Sequence, residues 1–416
     1  MQDRGAGLRR SITMLVLGSA GTTLFLFPFL HEIYYDPLRL ALGQTNVQIG
    51  SLSSAYGLAS LIGYVPGGWL ADRFKPRTLL PIGLIGTGIG GAFFASFPSY
   101  PFTLLLYVLW GAMTVVCWST MIRATREWAV AGSQGRAFGL LESVRGVTEG
   151  AIGAAGVAVF AWAGSTSGAL GTVIIGFAVL NIALGIIAFF TLDRAAPSGA
   201  KLQAASSSGW RELLPNPDLW LISLIVLSSY TAYTALYYFT PYSSSMLELS
   251  VAAAGAIAVG KIWLKPVAAM AAGFAADRWG VWQTVVFAFA ILVASMMIFA
   301  ISPGTAKNAP IMIANLACAS LAVFAIRGVY FALIEECRIP ESSTGSATGL
   351  ISLVGFTPDI FVPPVAGYLL DSFPGESGYR MLFGIVALAC AMGLATTAMI
   401  GRRVRSRRRS SGQGNA

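Results

Sequence analysis

Charged side chains with helical spacing interrupt two otherwise apolar stretches of the sequence. Glu142, Arg145 and Glu149 are three and four residues apart, so on a helix they share one face. Lys261 and Lys265, four residues apart, repeat this arrangement later in the chain. A charge at the centre of a bilayer costs about 2.5–3.5 kcal/mol on insertion scales and normally faces a partner or water. The spacing therefore predicts ionic groups that face a partner or a water-filled cavity.

Three interpretations of these charges stay open. Arg145, Lys261 and Lys265 would bind an anionic substrate, with the acidic groups holding them while the site is empty. Alternatively, Glu149 or Asp359 would carry a coupling proton, with Glu142 as a further proton-coupling candidate. In the third interpretation all five form a permanent structural ion network, since buried ion pairs also serve specificity alone.

Asp359 is a further acidic residue in an apolar stretch, and it follows Pro358. Proline removes one helix hydrogen bond and leaves a carbonyl free nearby. We predict either a proton-coupling carboxylate or a permanently protonated side chain that caps the kink.

Arg327 lies in an apolar stretch that ends with Glu335 and Glu336. It is predicted to be an anion ligand, with an ion pair to one of these glutamates as the alternative. Tyr233 and Tyr237, four residues apart in another stretch, would place hydroxyl groups in the same cavity, although such aromatic stripes usually serve packing.

The elements that hold these groups are predicted to be membrane helices. The chain is 56% hydrophobic and only 11% charged over 416 residues, whereas about a quarter of a soluble domain is charged. Apolar windows long enough to cross a hydrocarbon core of about 30 Å predict twelve spanning segments. These are 12–31, 47–70, 78–97, 102–123, 136–163, 169–192, 219–240, 251–272, 281–301, 310–334, 344–370 and 379–400.

The distribution of basic residues predicts the orientation. With the N-terminus in the cytoplasm, twenty of the 27 Lys and Arg residues lie on the cytoplasmic side and three on the other. The remaining four are Arg145, Lys261, Lys265 and Arg327, within the membrane. This asymmetry predicts that both termini are cytoplasmic. The net charge of +9 is explained by basic residues in the predicted cytoplasmic loops and tail, so no nucleic-acid partner is expected.

Charged and glycine positions recur between the two halves. Asp72 and Arg73 correspond to Asp277 and Arg278 at an offset of 205. The second correspondence, at an offset of 210, matches Gly135, Gly139 and Glu149 with Gly345, Gly349 and Asp359. Transporters built from internal repeats have this organisation, with a binding site near the midplane.

The loop after the second segment resembles the Gly-x-x-x-Asp-Arg-x-Gly-Arg-Arg signature of the major facilitator superfamily. Gly68, Asp72, Arg73 and Arg77 fit it, while Lys75 and Pro76 replace the usual Gly-Arg. The resemblance covers essentially the whole chain, and residues 135–142 and 355–359 are similar to a bacterial branch near the sugar-phosphate and nitrate permeases. It implies a conformational latch formed by Gly68, Asp72, Arg73, Arg77, Asp277 and Arg278, with the acids facing the starts of the opposite helices at 344 and 136.

The predicted fold is an all-α membrane protein with twelve transmembrane helices in two six-helix bundles related by a pseudo-two-fold axis. The bundles are expected at 1–192 and 218–400, with a cytoplasmic linker at 193–217 and a basic tail at 401–416 that binds anionic lipid. The protein is expected in the cell inner membrane as a monomer. No cofactor, metal site or enzymatic activity is expected, because phosphate-cradling loops, nucleophile elbows and metal spacings are missing from the sequence.

The favoured function is proton-coupled transport of a small organic anion by alternating access. The alternatives are a proton-driven exporter of drugs or other neutral or cationic molecules, and a transporter-like sensor that binds a ligand without moving it.

Overall fold

The structure is a computed structural model that describes residues 2–128, 134–192, 213–339 and 344–412, and these are almost entirely helical. The helices of the first half are α1 (Gln2–Thr23), α2 (His31–Leu42), α3 (Asn46–Arg73), α4 (Pro76–Phe94), α5 (Tyr100–Trp128), α6 (Gln134–Trp162) and α7 (Ser167–Thr191). Those of the second half are α8 (Pro217–Ala235), α9 (Phe239–Ser245), α10 (Val251–Ile262), α11 (Leu264–Trp279), α12 (Val281–Ile301), α13 (Ala309–Val329), α14 (Leu333–Glu336), α15 (Thr344–Gly355), α16 (Pro358–Ser372) and α17 (Glu376–Gly412).

Ten of the described helical stretches are long and apolar enough to cross a membrane. They are Pro76–Phe94, Tyr100–Thr125, Ser143–Trp162, Ser167–Thr191, Pro217–Ser245, Val251–Trp279, Val281–Ile301, Ala306–Glu336, Ala347–Ser372 and Glu376–Arg407. Such helices satisfy their own backbone hydrogen bonds, which a lipid environment demands. The predicted all-helical membrane architecture is therefore confirmed in these stretches.

The first predicted segment differs from the structure because its helix ends early. Helix α1 stops at Thr23, and seven residues of turns separate it from α2. The fully buried Asn181 of α7 donates a hydrogen bond of 3.3 Å to the Thr23 carbonyl, which also accepts from the Leu26 amide at 3.2 Å in the turn after α1. A side chain distant in sequence thus stabilises this break.

The eighth and eleventh predicted segments are also broken helices. Trp263 separates α10 from α11, and Pro266, three residues further on, lacks the amide hydrogen that would bond across the break. Helix α15 ends at Gly355, and α16 begins at Pro358. The kink predicted at Pro358 is thus present, and it places Asp359 in the first turn of a new helix.

Contacts divide the chain into two compact units. Unit 1 comprises Met1–Ala200 with Ser250–Ile262, and unit 2 comprises Lys201–Leu249 with Trp263–Ala416. The division differs from the boundaries expected from the sequence because α10 packs on α2 and α6 of unit 1.

Each unit has its own buried core. In unit 1, aliphatic residues from α1, α4, α5 and α7 pack together, including Leu17, Leu84 and Met121. In unit 2, the fully buried rings of Phe299 and Phe383 lie with centroids 4.9 Å apart, and Tyr242 packs edge-on against Phe383 at 5.9 Å. Aromatic pairs at these distances stabilise a core beyond the area they bury.

Candidate functional site

Unit 2 holds a compact group of polar side chains contributed by three helices. We call it the Arg327 cluster: Tyr230, Tyr233 and Thr234 of α8, Arg327 of α13 and Asp359 of α16. The guanidinium carbon of Arg327 lies 4.0 Å from the ring centroid of Tyr233 and 5.0 Å from that of Tyr230. Both distances are within the range of cation–π attraction, so the two rings hold the cation without neutralising its charge.

One donor of Arg327 is left without a partner. Its Nη1 atom is buried and makes no hydrogen bond to any residue that the structure describes. A buried donor without a partner costs free energy, and an unmatched charged donor costs more than a neutral one. The predicted ion pair to Glu335 or Glu336 is not formed. The other prediction, that Arg327 is an anion ligand, stays a prediction, and the tyrosine rings are its observed neighbours.

Asp359 is held by hydroxyl groups of α8. The Tyr230 hydroxyl donates to Oδ2 at 2.9 Å, and the Thr234 hydroxyl lies 3.4 Å from Oδ1. In the described part of the chain Asp359 forms no salt bridge, although the charge of Arg327 is close enough to act on it. A carboxylate in this setting is stabilised by hydrogen bonds rather than by a direct ion pair.

Tyr237 and Lys265 lie further along the same aromatic surface. The rings of Tyr233 and Tyr237 are 5.3 Å apart, and Tyr233 also packs against Phe324 at 6.2 Å. Phe324 in turn lies 5.8 Å from the Lys265 ammonium. Lys265 was predicted to share one helix face with Lys261 and to bind an anion with it and Arg145, and the structure places Lys265 beside this aromatic surface in unit 2.

Lys261 forms an ion pair that the sequence analysis missed. Its Nζ atom lies 2.7 Å from Oε1 of Glu32, and both side chains are nearly buried, with exposures of 4% and 12%. Glu32 follows the first predicted apolar segment, 12–31, directly in the sequence. The signal in the sequence that could have found this partner is the acidic Glu32 itself, which lies directly after the apolar segment 12–31.

Arg145 is held by α1 and α5 within unit 1. Its Nε atom donates to the Gly21 carbonyl at 3.2 Å, and its guanidinium lies 4.7 Å from the ring of Trp118. Glu149 lies partly buried one turn further along α6. The side chain of Glu142 is outside the part of the structure that is described, so the predicted charge triad stays a prediction.

The predicted latch residues occupy helix ends. Arg73 is the last residue of α3, and Asp277 and Arg278 are exposed near the end of α11. Arg77 donates from Nε to the Phe189 carbonyl at 2.7 Å and lies over that ring. The side chain of Asp72 and the residues 340–343 lie outside the described part, so the acid-to-helix contact of the latch stays a prediction.

Arg123 supports the latch region in a way that the sequence did not indicate. The sequence analysis counted it only as a cytoplasmic charge. In the structure its buried guanidinium donates to the backbone carbonyl of Ala71, two residues before the end of α3. This contact fastens α5 to the end of the latch helix.

The basic tail predicted to bind lipid is partly engaged by the protein. Arg403 and Arg407 of α17 contact the buried Asp218 of α8 at 2.9 and 2.5 Å. Arg407 also donates to the carbonyl of Cys337, whose buried thiol has a pKa raised to about 12 by desolvation and stays protonated. Charge-assisted pairs of this kind fix one helix end against another.

Ten described helical stretches of membrane-spanning length define a multi-pass integral membrane protein. The chain belongs to the major facilitator superfamily, whose family model matches residues 11–358. It is therefore a membrane transporter and not an enzyme, and membership of this superfamily supports an alternating-access mechanism.

Individual proteins agree with this assignment. The chain is 28% identical over 406 residues to the inner membrane protein YihN of Escherichia coli. The match covers 95% of this chain and 96% of YihN. A shorter match, 28% identical over 151 residues, is to the putative glycerol-3-phosphate transporter 2 of Arabidopsis thaliana, over 35% of this chain and 28% of the relative.

Among solved structures, a bacterial homologue of the human lysosomal transporter Spinster has a TM-score of 0.79. It is 15% identical and covers 96% of this chain and 98% of its own. At this identity the likeness concerns the fold, and it extends over nearly the whole length.

Proposed function

We propose that this transporter moves a small organic anion and that Arg327 is its principal anion ligand. The observation that carries the proposal is the buried Nη1 atom of Arg327, which has no hydrogen-bond partner among the described residues. A bound anion would accept from this atom and remove the cost of leaving it unmatched.

The tyrosine rings around Arg327 favour an anion with a planar or forked charged group. A guanidinium presents its donors in a fixed fork that matches a carboxylate or phosphate bidentately. Tyr230 and Tyr233, whose ring centroids are 5.4 Å apart, flank the guanidinium, and its buried Nη1 donor is left for the ligand. Tyr237 and Lys265 would contact the remainder of the molecule.

A similar protein supports an anionic substrate. The Arabidopsis relative is named as a putative transporter of glycerol 3-phosphate, which is an organic anion of this class. The match covers about a third of the chain, so it supports the chemical class and leaves the particular substrate to experiment.

Asp359 is proposed as the coupling proton site. The Tyr230 hydroxyl donor and the missing salt bridge in the described part of the chain suit a carboxylate that alternates between charged and neutral forms. Glu142 and Glu149 are further candidates on α6. Lys261 is proposed to act structurally rather than as a ligand, because Glu32 already holds it.

The proposed topology has twelve spanning helices, a monomeric assembly and both termini in the cytoplasm. Helices α1 and α3 would add two spans to the ten described stretches. The basic residues between segments support this orientation. The latch residues would hold the cytoplasmic side closed in one state and release it in the other.

A ligand screen followed by transport tests the proposal. Thermal shift of the purified protein against small carboxylates, phosphates and sulfonates is expected to identify a stabilising anion. Uptake of that anion into proteoliposomes is then expected to rise with an inward proton gradient. Arg327→Ala is expected to lose at least roughly tenfold in affinity, because hydrogen bonds to charged groups are worth about 1.5–3 kcal/mol.

Arg380→Ala is the matched control, because Arg380 is exposed and pairs with Glu376 on its own helix. Unimpaired anion transport by Arg327→Ala would remove Arg327 from the site. Efflux of a cationic drug that depends on Asp359 would instead support an exporter, and saturable anion binding without flux would support a sensor.

A further inference from the structure

Tyr230 touches both charged groups of the Arg327 cluster. Its hydroxyl donates to Oδ2 of Asp359 at 2.9 Å, and its ring centroid lies 5.0 Å from the guanidinium carbon of Arg327. A phenol carries one hydrogen and can donate only one strong hydrogen bond at a time. The ionised carboxylate therefore holds the only donor that Tyr230 has to offer.

We propose that Tyr230 is a positioning residue that links protonation of Asp359 to anion binding at Arg327. The inference rests on the proposed function and specifies how the two events are coupled. While Asp359 is ionised, it retains the phenol hydrogen. Once Asp359 takes up a proton from solution, its neutral carboxyl group accepts the phenol hydrogen more weakly than the carboxylate did. The Tyr230 hydroxyl then rotates toward the anion on Arg327.

Electrostatics act in the same direction as this exchange of hydrogen bonds. An ionised Asp359 attracts Arg327, so it competes with an incoming anion for the same cation. A neutral Asp359 leaves the positive charge of Arg327 to the ligand. Anion binding and proton binding therefore favour each other, as reciprocal linkage requires.

The surroundings of Asp359 restrict the titrating groups to a small number. Among the described residues, the charged or titratable groups acting on it are Tyr230 of α8 and Arg327 of α13, and Thr234 adds a neutral hydroxyl. Helix α17 also packs on α16 but contributes no group to this set. Further tyrosines, Tyr233, Tyr237 and Tyr330, act on Arg327 rather than on Asp359.

The test measures anion affinity and proton uptake with methanesulfonate, whose charge does not change between mildly acidic and mildly alkaline pH. Calorimetry in two buffers of different ionisation enthalpy gives the number of protons taken up per anion bound. For the wild-type protein we expect affinity to fall by roughly tenfold or more as the pH rises, which corresponds to the loss of one hydrogen bond to a charged group.

Tyr230→Phe keeps the ring beside Arg327 but removes the hydroxyl, so its affinity is expected to depend on pH less than that of the wild type, through the attraction between Asp359 and Arg327 alone. Tyr233→Phe is the matched control: it removes a hydroxyl from the neighbouring ring, which makes no hydrogen bond to Asp359. The anion affinity of Tyr233→Phe can differ from that of the wild type at every pH, but the pH dependence of that affinity is expected to match the wild type. Asp359→Asn is expected to bind without proton uptake at any pH.

Each result bears on a different claim. A wild-type pH dependence in Tyr230→Phe would overturn the role of Tyr230 and leave the anion site intact. Wild-type protein that binds no methanesulfonate would overturn the proposed anion site together with this inference. If Tyr230→Phe fails to fold, continued proton uptake on anion binding by Asp359→Asn would overturn the link.

Discussion

Lys261 and Glu32 show how a single partner changes the role assigned to a buried charge. The spacing of Lys261 and Lys265 suggested one cationic face, yet Lys261 is paired with Glu32 in unit 1 and Lys265 lies beside Phe324 in unit 2. Two residues four apart belong to different environments because the helix is broken between them at Trp263.

Lys261→Ala is expected to lower the free energy of unfolding by about 3 kcal/mol, because it removes the cation from a nearly buried carboxylate. Thermal unfolding of the detergent-solubilised protein measures the effect. The double variant Lys261→Met with Glu32→Gln is the control and is expected to recover most of the loss. A single variant as stable as the wild type would show that the pair is not structural.

Helix packing depends on glycine where two backbones approach closely. A Cβ atom placed on Gly111 of α5 would lie 2.5 Å from the backbone carbonyl oxygen of Tyr56 in α3. This approach is possible because glycine has no side chain, as in other closely packed membrane helices. The backbone oxygen cannot turn away as a flexible side chain would.

Gly111→Ala is therefore expected to destabilise the protein by about 1–3 kcal/mol through overpacking. Gly176→Ala on α7 is the matched control, since nothing lies within 4 Å of its added Cβ and alanine favours a helix. The midpoint of thermal unfolding should fall for the first variant and be unchanged or higher for the second. Equal midpoints would mean that α3 and α5 separate without cost.

At the scale of the whole molecule, the basic residues between segments predict how the chain crosses the membrane. Positively charged loops are retained on the cytoplasmic side during insertion. The long final helix α17 carries six of its seven arginines near its C-terminal end, where Arg403 and Arg407 hold Asp218.

Reporter fusions test this orientation. Green fluorescent protein fused after residue 412 is expected to fluoresce, because it folds in the cytoplasm, and alkaline phosphatase at the same point is expected to be inactive. Fusions near Lys307, on the predicted outer side, are expected to give the reverse result. Active alkaline phosphatase at the C-terminus would invert the proposed topology.

The sequence determined by itself that the chain is a helical membrane protein of a transporter family. Apolar segments of spanning length have few folded alternatives in lipid, since only a helix or a closed barrel satisfies the backbone there. The kink before Asp359 also followed from the sequence, because proline cannot donate the missing hydrogen bond wherever it is placed.

Only the tertiary structure decided which charges meet. Each decisive contact joins residues more than ninety positions apart in the sequence. These contacts are the pairing of Lys261 with Glu32, the tyrosine rings around Arg327 and the Tyr230 hydrogen bond to Asp359. Helical spacing states which side chains share a face, but not which face of another helix lies opposite. That choice depends on the packing of whole helices, where breaks at Thr23 and Trp263 redirect the chain and a single buried partner determines the role of a charge.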